Sequence, residues 1–539
     1  SASGAGSRPL AGHRTSIMRS GPQTQKGGKD GGIFVKLDRP VVGGRGGGRQ
    51  MSNPQQWLVC FDTDRIKQYL FATNRLKEIR GGSALIVGLD EKRKATLHQQ
   101  RYGANQVVYS AGGGAAVLVP TKQDAQILIA EIEREFRAQT ATASITGVYL
   151  QVSTTSGKFG VEMTRAGNSL RRAKASKAEL ATLPVEPYMR LCNSCGQHPS
   201  VCKARDGSGD WLCQACFKKR EVGHKGRKGF FDQFAKSADP NTWTEDTIPD
   251  DLDTIGSVAS PPGYVGFIAL DGNHIGDLLG KLDTVDSYRA FSAGLWDLTK
   301  EQTFAALKSL GRPRNGITPF EIVLIGGDDV LLITAADIAL EIALAIAEGF
   351  EKNSTAKVLT PAGLSEKCAK LTMAGGVVLA HADFPIPAMY RLAEALQKLA
   401  KRFCAKQNYQ TGAIDFQVVT SSDTDLDAMR QGVPHYRPYS LADLRKLLEH
   451  IRQLKSADMP TSQLQAMYQA LFESKVNAQL ASIATLGYLG RGTDKTRYNR
   501  LKQFFKDFGV QFDGQLPPWD AHKRSALTDL VELYPFIKS

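Results

Sequence analysis

The chain has 539 residues, 42% of them hydrophobic and 23% charged, which is enough for several domains with ordinary cores. It contains no run of about 18 apolar residues, so a helical membrane span is excluded. The formal charge of +14 invites a nucleic-acid reading, but residues 1–50 hold nine Lys or Arg against two Asp, half of the excess, so charge alone decides little.

Residues 1–50 are rich in Gly, Ser and Arg and lack hydrophobic periodicity. They read as a disordered or artificially appended leader, with Met51 as the native start and a basic RNA-binding tail as the alternative. After the leader, the apolar strand Trp57–Phe61 ends in Asp62-Thr63-Asp64-Arg65-Ile66 and a helical run follows. A hairpin pattern spans Val107–Val119 around Gly112-Gly113-Gly114-Ala115, and then come a strand at Gly147–Val152 and a basic helix at Ser169–Lys174.

The same order recurs downstream. The strand Tyr264–Leu270 ends in Asp271-Gly272-Asn273-His274-Ile275, a hairpin spans Glu321–Ile333 around Gly326-Gly327-Asp328-Asp329, and a strand at Thr372–Leu379 precedes a basic helix at Ala393–Arg402. Strand, helices, hairpin, strand and helix predict an α+β unit, an antiparallel sheet covered by helices on one face. This is a ferredoxin-like or palm arrangement, present as a degenerate copy over 51–185 and a second copy over 256–430. Apolar three-four spacing over Leu441–Leu454 and Ser462–Gln479, a loop at Gly487–Arg497 and a last helix near Arg524–Leu533 make 431–539 a helical C-terminal domain.

Between the palms, in a zinc-binding insert and linker over 186–255, Cys192-x-x-Cys195 and Cys213-x-x-Cys216 stand seventeen residues apart. That spacing fits a four-cysteine zinc ribbon, and four thiolates leave no open position, so the expected Zn²⁺ is structural. Cys202 and His198 are possible substitutes. The following tract of Lys218, Lys219, Arg220, His224, Lys225, Arg227 and Lys228 reads as a solvated face, with RNA contact as the alternative. With no secretion signal, the cysteine pattern suits a reducing compartment and a cytoplasmic protein.

In the second copy, Asp271 on a strand end and Asp328-Asp329 in a turn 57 residues later put three carboxylates at one end of a sheet. Such hard oxygen ligands suit Mg²⁺ or Mn²⁺, and two ions can activate a hydroxyl and steady a leaving pyrophosphate. Gly326 and Gly327 allow a tight turn and close approach of a triphosphate, and Lys398, Lys401 and Arg402 are candidates to neutralise its phosphates. Together these features point to a nucleotidyltransferase. The first copy keeps Asp62 and Asp64 but has lost the turn carboxylates, so it can seat a nucleotide beside Lys174 without catalysing. Arg80-Gly81-Gly82-Ser83 either offers backbone N–H groups to phosphate at a helix start or is a plain cap. His274 and Asp277 either touch the nucleotide or sit on a helix surface, and His381-Ala382-Asp383 lacks the adjacency of a metal phosphohydrolase doublet.

With its duplicated palm, its Gly326–Asp329 turn and its intervening four-cysteine ribbon, the chain resembles the large polymerase-like subunit of type III CRISPR effector complexes. The resemblance runs from about Gln55 to the C-terminus and is most specific at Phe61–Lys67, Lys77–Ser83, Gly326–Asp329 and Ala400-Lys401. It implies palms of the nucleotidyl cyclase and polymerase type and the joining of ATP into 3′–5′ cyclic oligoadenylate messengers in antiviral defence. It also implies partner subunits that bring CRISPR RNA and target RNA. By resemblance Asp271, Asp328 and Asp329 bind the metals and Lys401 the triphosphate, with Asn273 standing where the family has a second acid. The His-Asp nuclease domain common in the family is not expected here. A free-standing cyclic dinucleotide synthase and a silent RNA-binding scaffold subunit are the alternative functions.

Overall fold

The computed structural model describes residues 56–103, 105–153, 157–177, 188–224, 229–510, 518–520 and 522–538. The leader, Lys225, Arg227, Lys228 and the side chain of His224 lie outside the described residues. In the first palm, β1 (Gln56–Asp64) leads to α1 (Ile66–Leu70), α2 (Leu76–Ala95), the hairpin β2 (Val107–Ala111) and β3 (Gly114–Val119), then α3 (Lys122–Thr140), β4 (Ser144–Val152) and α4 (Phe159–Ser176). Its antiparallel sheet has the order β2-β3-β1-β4, the ferredoxin-like arrangement expected from sequence.

The insert adds β5 (Cys202–Lys203), β6 (Trp211–Leu212), α5 (Gln214–His224), α6 (Phe230–Ala238) and α7 (Leu252–Ser257). The second palm runs β7 (Tyr264–Gly272), α8 (Ile275–Leu279), α9 (Val285–Leu310), β8 (Phe320–Gly326), β9 (Asp329–Ala335), α10 (Ala336–Ser354), β10 (Met373–His381), α11 (Ile386–Lys406) and β11 (Ala413–Val418). The tail holds α12 (Leu426–Arg430), β12 (Tyr439–Ser440), α13 (Leu441–Ser456), α14 (Thr461–Glu473), α15 (Lys475–Leu489), α16 (Thr496–Asp507) and α17 (Ala526–Leu533). In the second sheet, order β12-β11-β10-β7-β9-β8, the last four strands repeat the first palm, and β11 and β12 extend it past residue 430.

Four expectations about the elements are corrected. Each hairpin is followed by a helix that the pattern did not show, α3 and α10, and helices cover both faces of the second sheet rather than one. A β-carbon on Gly266, paired with Leu379, would meet Ala339 of α10, whereas one on Gly376 would fall 2.0 Å from the carbonyl oxygen of Ala393 in α11. Positions 379 and 376 of one strand point to opposite faces. Burial on both sides explains why β10 is apolar along almost its whole length. Ser462–Gln479 is not one helix either: Ser474 breaks it in an extended conformation and its hydroxyl accepts from the Asn477 N–H, capping α15. Likewise, the loop expected over Gly487–Arg497 is shorter, because α15 runs to Leu489 and α16 starts at Thr496.

The insert is bolted to the first palm. A β-carbon on Gly81 would fall 1.7 Å from the Lys219 carbonyl oxygen and one on Gly223 1.8 Å from that of Lys77, so α2 and α5 cross backbone to backbone. Lys219 and Arg220 are buried here: the Lys219 ammonium bonds the Tyr69 carbonyl and lies 3.8 Å from the Tyr69 ring centre, and Arg220 bonds Glu78. These two residues therefore form neither a solvated face nor an RNA contact. At the other end, buried Arg437 pairs with Asp529 at 2.7 Å and Glu532 at 2.8 Å, tying the strand leading to β12 onto α17.

Candidate active site at the palm hairpins

The two palms present the same local build. Each central strand, β1 or β7, passes into a residue in the left-handed conformation, Arg65 (φ 47°) or His274 (φ 62°), which opens a five-residue helix. Asp62 thus matches Asp271, Thr63 matches Gly272 and Asp64 matches Asn273. The sheet register then fixes the hairpins. Asp62 stands opposite Gly114, and Leu270 stands opposite Val330, which puts Asp271 level with Asp329. The last hairpin pairs are Ala111 with Gly114 and Gly326 with Asp329. Gly113 is therefore the counterpart of Asp328 and Gly114 of Asp329, one residue earlier than the alignment of glycine runs suggests.

This register exposes a steric exchange. A β-carbon on Gly272 would lie 2.7 Å from Oδ2 of Asp328, so the missing side chain makes the room that the carboxylate occupies. In the first palm the same position is Thr63, whose hydroxyl donates to the Gly113 carbonyl at 2.7 Å, and a β-carbon on Gly113 would meet that hydroxyl at 2.9 Å. Each palm has a side chain on one partner only.

In the second palm Asp271 is held by Lys401 of α11, and Asp329 by Lys67 of α1, whose Nζ is 3.3 Å from Oδ2. Burial and the neighbouring Asp271 and Asp329 carboxylates push Asp328 well above the usual carboxylate range. Burial and Asp271 also raise Asp329, with Lys67 partly offsetting them. Carboxyls raised by one another's charge hold their protons more tightly, and a bound cation would reverse that by favouring the ionised form. The donor set fits Mg²⁺ or Mn²⁺, although Asp271, Asp328 and Asp329 are not drawn to within 4.8 Å of one another as the four cysteine sulfurs are.

The first palm is already neutralised. Lys174 Nζ reaches Asp62 at 2.6 Å, the Thr63 carbonyl at 2.9 Å and Asp64 at 3.3 Å. Burial alone would raise Asp64, but Ser144, Thr146 and Lys177 outweigh it and hold that carboxyl below its ordinary value. Lys174 thus does in the first palm what Lys401 does in the second. Asn273, the counterpart of Asp64, is buried and turned onto Thr372, to which its amide donates at 3.0 Å, so it faces the sheet and not the carboxylates.

The remaining candidates are placed as follows. Lys398 is exposed and pairs with Glu394 at 3.1 Å, one turn before Lys401. Arg80–Ser83 lie inside α2 rather than at its start, so their N–H groups are used within the helix; Ser83 is buried and Arg80 donates to Glu321 of β8 at 2.8 Å. His274 stacks on Tyr409 at 5.0 Å and meets Asp277 at 2.7 Å. Lys67 has no role legible in the sequence, because its reach across the palm boundary to Asp329 leaves no local signal.

The palms meet through reciprocal pairs of elements, α1 with α11 and α8 with α4. Phe71, just after α1, stacks on Tyr390 of α11 at 4.7 Å, and reciprocally Gly160 of α4 donates to the Leu282 carbonyl, just after α8, at 2.7 Å. The turns touch between these contacts, where a β-carbon on Gly112 would lie 3.0 Å from the Gly326 α-carbon.

The four cysteines form the separate metal site. Their sulfurs all lie within 4.8 Å of one another, and Cys195 and Cys213 are 3.9 Å apart. Four sulfurs at about 2.3 Å from a tetrahedral zinc would stand roughly 3.8 Å apart, so the set fits structural Zn²⁺. Cys202, on β5, lies outside this group.

Residues 264–410 match the family model for the second palm domain of Cas10/Cmr2. No curated protein matches the chain. Among solved structures it is similar to Csm1 of T. onnurineus (13% identity, TM-score 0.56, covering 90% of this chain and 70% of that one). It is also similar to the Csm1–Csm4 cassette in complex with cA4 (13%, 0.54, 91% and 70%) and in complex with one ATP (14%, 0.54, 90% and 70%). At such identities the likeness is one of fold. Residues 264–410 thus match a Cas10/Cmr2 second palm domain, and the described chain shares the fold of Csm1.

Proposed function

We propose that this chain is a metal-dependent nucleotidyltransferase that joins ATP into cyclic oligoadenylate as part of a type III CRISPR effector complex. The observation that carries the reading is the asymmetry of the two hairpins: in the second palm three mutually repelling carboxylates share two lysines, Lys401 and Lys67, whereas in the first two carboxylates are matched by Lys174 and Lys177. In the reaction the 3′-oxygen of one ATP bonds to the α-phosphorus of another, the bond from that phosphorus to the bridging oxygen breaks, pyrophosphate leaves and the hydroxyl proton passes to solvent. Asp271, Asp328 and Asp329 would hold Mg²⁺ or Mn²⁺, which supplies charge stabilisation on the phosphoryl oxygens. Lys401 supports Asp271 and is within reach of a triphosphate, the turn at Gly326-Gly327 leaves the approach free of side chains, and the first palm seats the partner nucleotide beside Lys174.

The Csm1–Csm4 cassettes in complex with cA4 and with ATP support the choice of adenine nucleotide, and their Csm4 supports a neighbouring effector subunit as partner. CRISPR RNA and target RNA are reached through such subunits. Pyrophosphate release from ATP with Mg²⁺ or Mn²⁺, measured with and without target RNA and the partner subunits, tests the reading. Release that depends on RNA supports the complex; release without it favours a free-standing synthase; none under any condition sinks the enzyme reading.

A further inference from the structure

Lys67 belongs to the first palm, yet its ammonium lies 3.3 Å from Asp329 of the second. The internal repeat shows whether such a pair is incidental. Helix α1 corresponds to α8, so the counterpart of Lys67 is Gly276, and the counterpart of Asp329 is Gly114. By this correspondence Gly276 and Gly114 are to each other what Lys67 and Asp329 are. Both members of the pair are present on one side and both are missing on the other. A surface lysine that merely fills space would have no reason to follow the carboxylate in this way.

The surroundings of Lys67 say what else it can bind. It lines a cleft of about 540 Å³ between the end of α1, the first cysteine pair and the start of α11. Arg391 stands in the same cleft, whose lining among the described residues has no Asp or Glu, and the side chains of Arg391, Gln68, Asn74 and Gln197 make no hydrogen bond or ion pair with another described residue. The cleft is therefore a cationic, amide-lined space joined to the candidate active site through Lys67, which lines it and pairs with Asp329. Lys67 is also anchored from behind: the Tyr69 carbonyl, two residues on, accepts from buried Lys219 of the zinc insert, which fixes α1.

We propose that Lys67 is a nucleotide-binding residue that the first palm contributes to the active site of the second, pairing with Asp329 when no nucleotide is present and with the triphosphate of ATP when one is bound. This rests on the ATP-joining function proposed above. A lysine ammonium is a mobile point charge suited to such an exchange, and it remains close enough to Asp329 to serve both partners. The first palm then does more than seat the partner nucleotide, because the second palm's site is incomplete without it.

The test is ATP affinity, measured by calorimetry with Ca²⁺ on the full chain, for the wild type, Lys67→Met, Lys67→Arg and Asp329→Asn with and without Lys67→Met. We expect Lys67→Met to weaken ATP binding about tenfold, Lys67→Arg to restore most of it, and Lys67→Met to weaken binding by a similar factor in the Asp329→Asn background. If Lys67 only balances Asp329, its loss has no effect once Asp329 is neutral, and that result overturns the proposal. Wild-type ATP binding without pyrophosphate release would contradict the synthase reading alone. Pyrophosphate release with ATP affinity unchanged in Lys67→Met would contradict the Lys67 assignment alone, and absence of ATP binding to the wild type would contradict it as well.

Discussion

Gly272 and Asp328 share one space: a β-carbon on the glycine would stand 2.7 Å from the carboxylate oxygen. Thr63 fills the same space in the first palm, where the turn has a glycine instead. Gly272→Ala should therefore push Asp328 out of place while leaving the strand intact. Displacing a reacting group by about 1 Å costs on the order of 100-fold in rate. Pyrophosphate release should fall by about that factor, with the thermal midpoint changed by only a few degrees.

Asp328→Asn should abolish synthesis and yet stabilise the metal-free protein. The folded carboxyl binds its proton more tightly than the ordinary 3.8, so between that value and the raised one the folded chain holds the extra proton. Stability then falls as pH climbs through that window, and the penalty is complete above it. Removing the charge should raise the metal-free melting temperature at neutral pH by a few degrees. It should also remove most of the further rise that Mn²⁺ gives the wild type, which differential scanning fluorimetry reads directly.

His435, near the junction with the C-terminal helices, gives the opposite sign. Burial, with Arg437 and Arg430 nearby, lowers it from 6.5 to about 4. The unfolded chain binds the proton first, so stability is full above about pH 6.5 and declines as pH falls toward 4, by about 3 kcal/mol in all. Urea unfolding at pH 7 and pH 4.5 should show this difference, and His435→Gln should reduce it.

Much of this arrangement was legible in the sequence for physical reasons. Strand ends and tight turns leave strong local signals, so Asp271, the Asp328-Asp329 turn and the four cysteines could be found by spacing. Helix α10 could not, because it lies between the sheet and α9 and its buried residues run all round it rather than along one stripe. The glycine run at Gly112–Gly114 carries no side chain to mark its register, and only the strand pairing places it, one residue away from where the glycines alone align. Lys219 and Arg220 read as surface charge because burial of a lysine depends on a distant carbonyl and a distant glutamate, Tyr69 and Glu78.

Zinc should be structural and matter to the active palm through α1. Cys213→Ser, or chelation of the wild type, should release about one zinc per chain by atomic absorption and lower the melting temperature by roughly 5 °C. ATP affinity should fall with it, since α5 braces the turn that carries Lys67.

In the proposed reaction one palm reacts and the other only binds. Chromatography of the products of labelled ATP compares Asp328→Ala/Asp329→Ala with Asp62→Asn/Asp64→Asn most directly. The first pair should give no product, and the second the same products at a higher ATP requirement. Products from the first pair, or their complete loss in the second at saturating ATP, would contradict that division of roles.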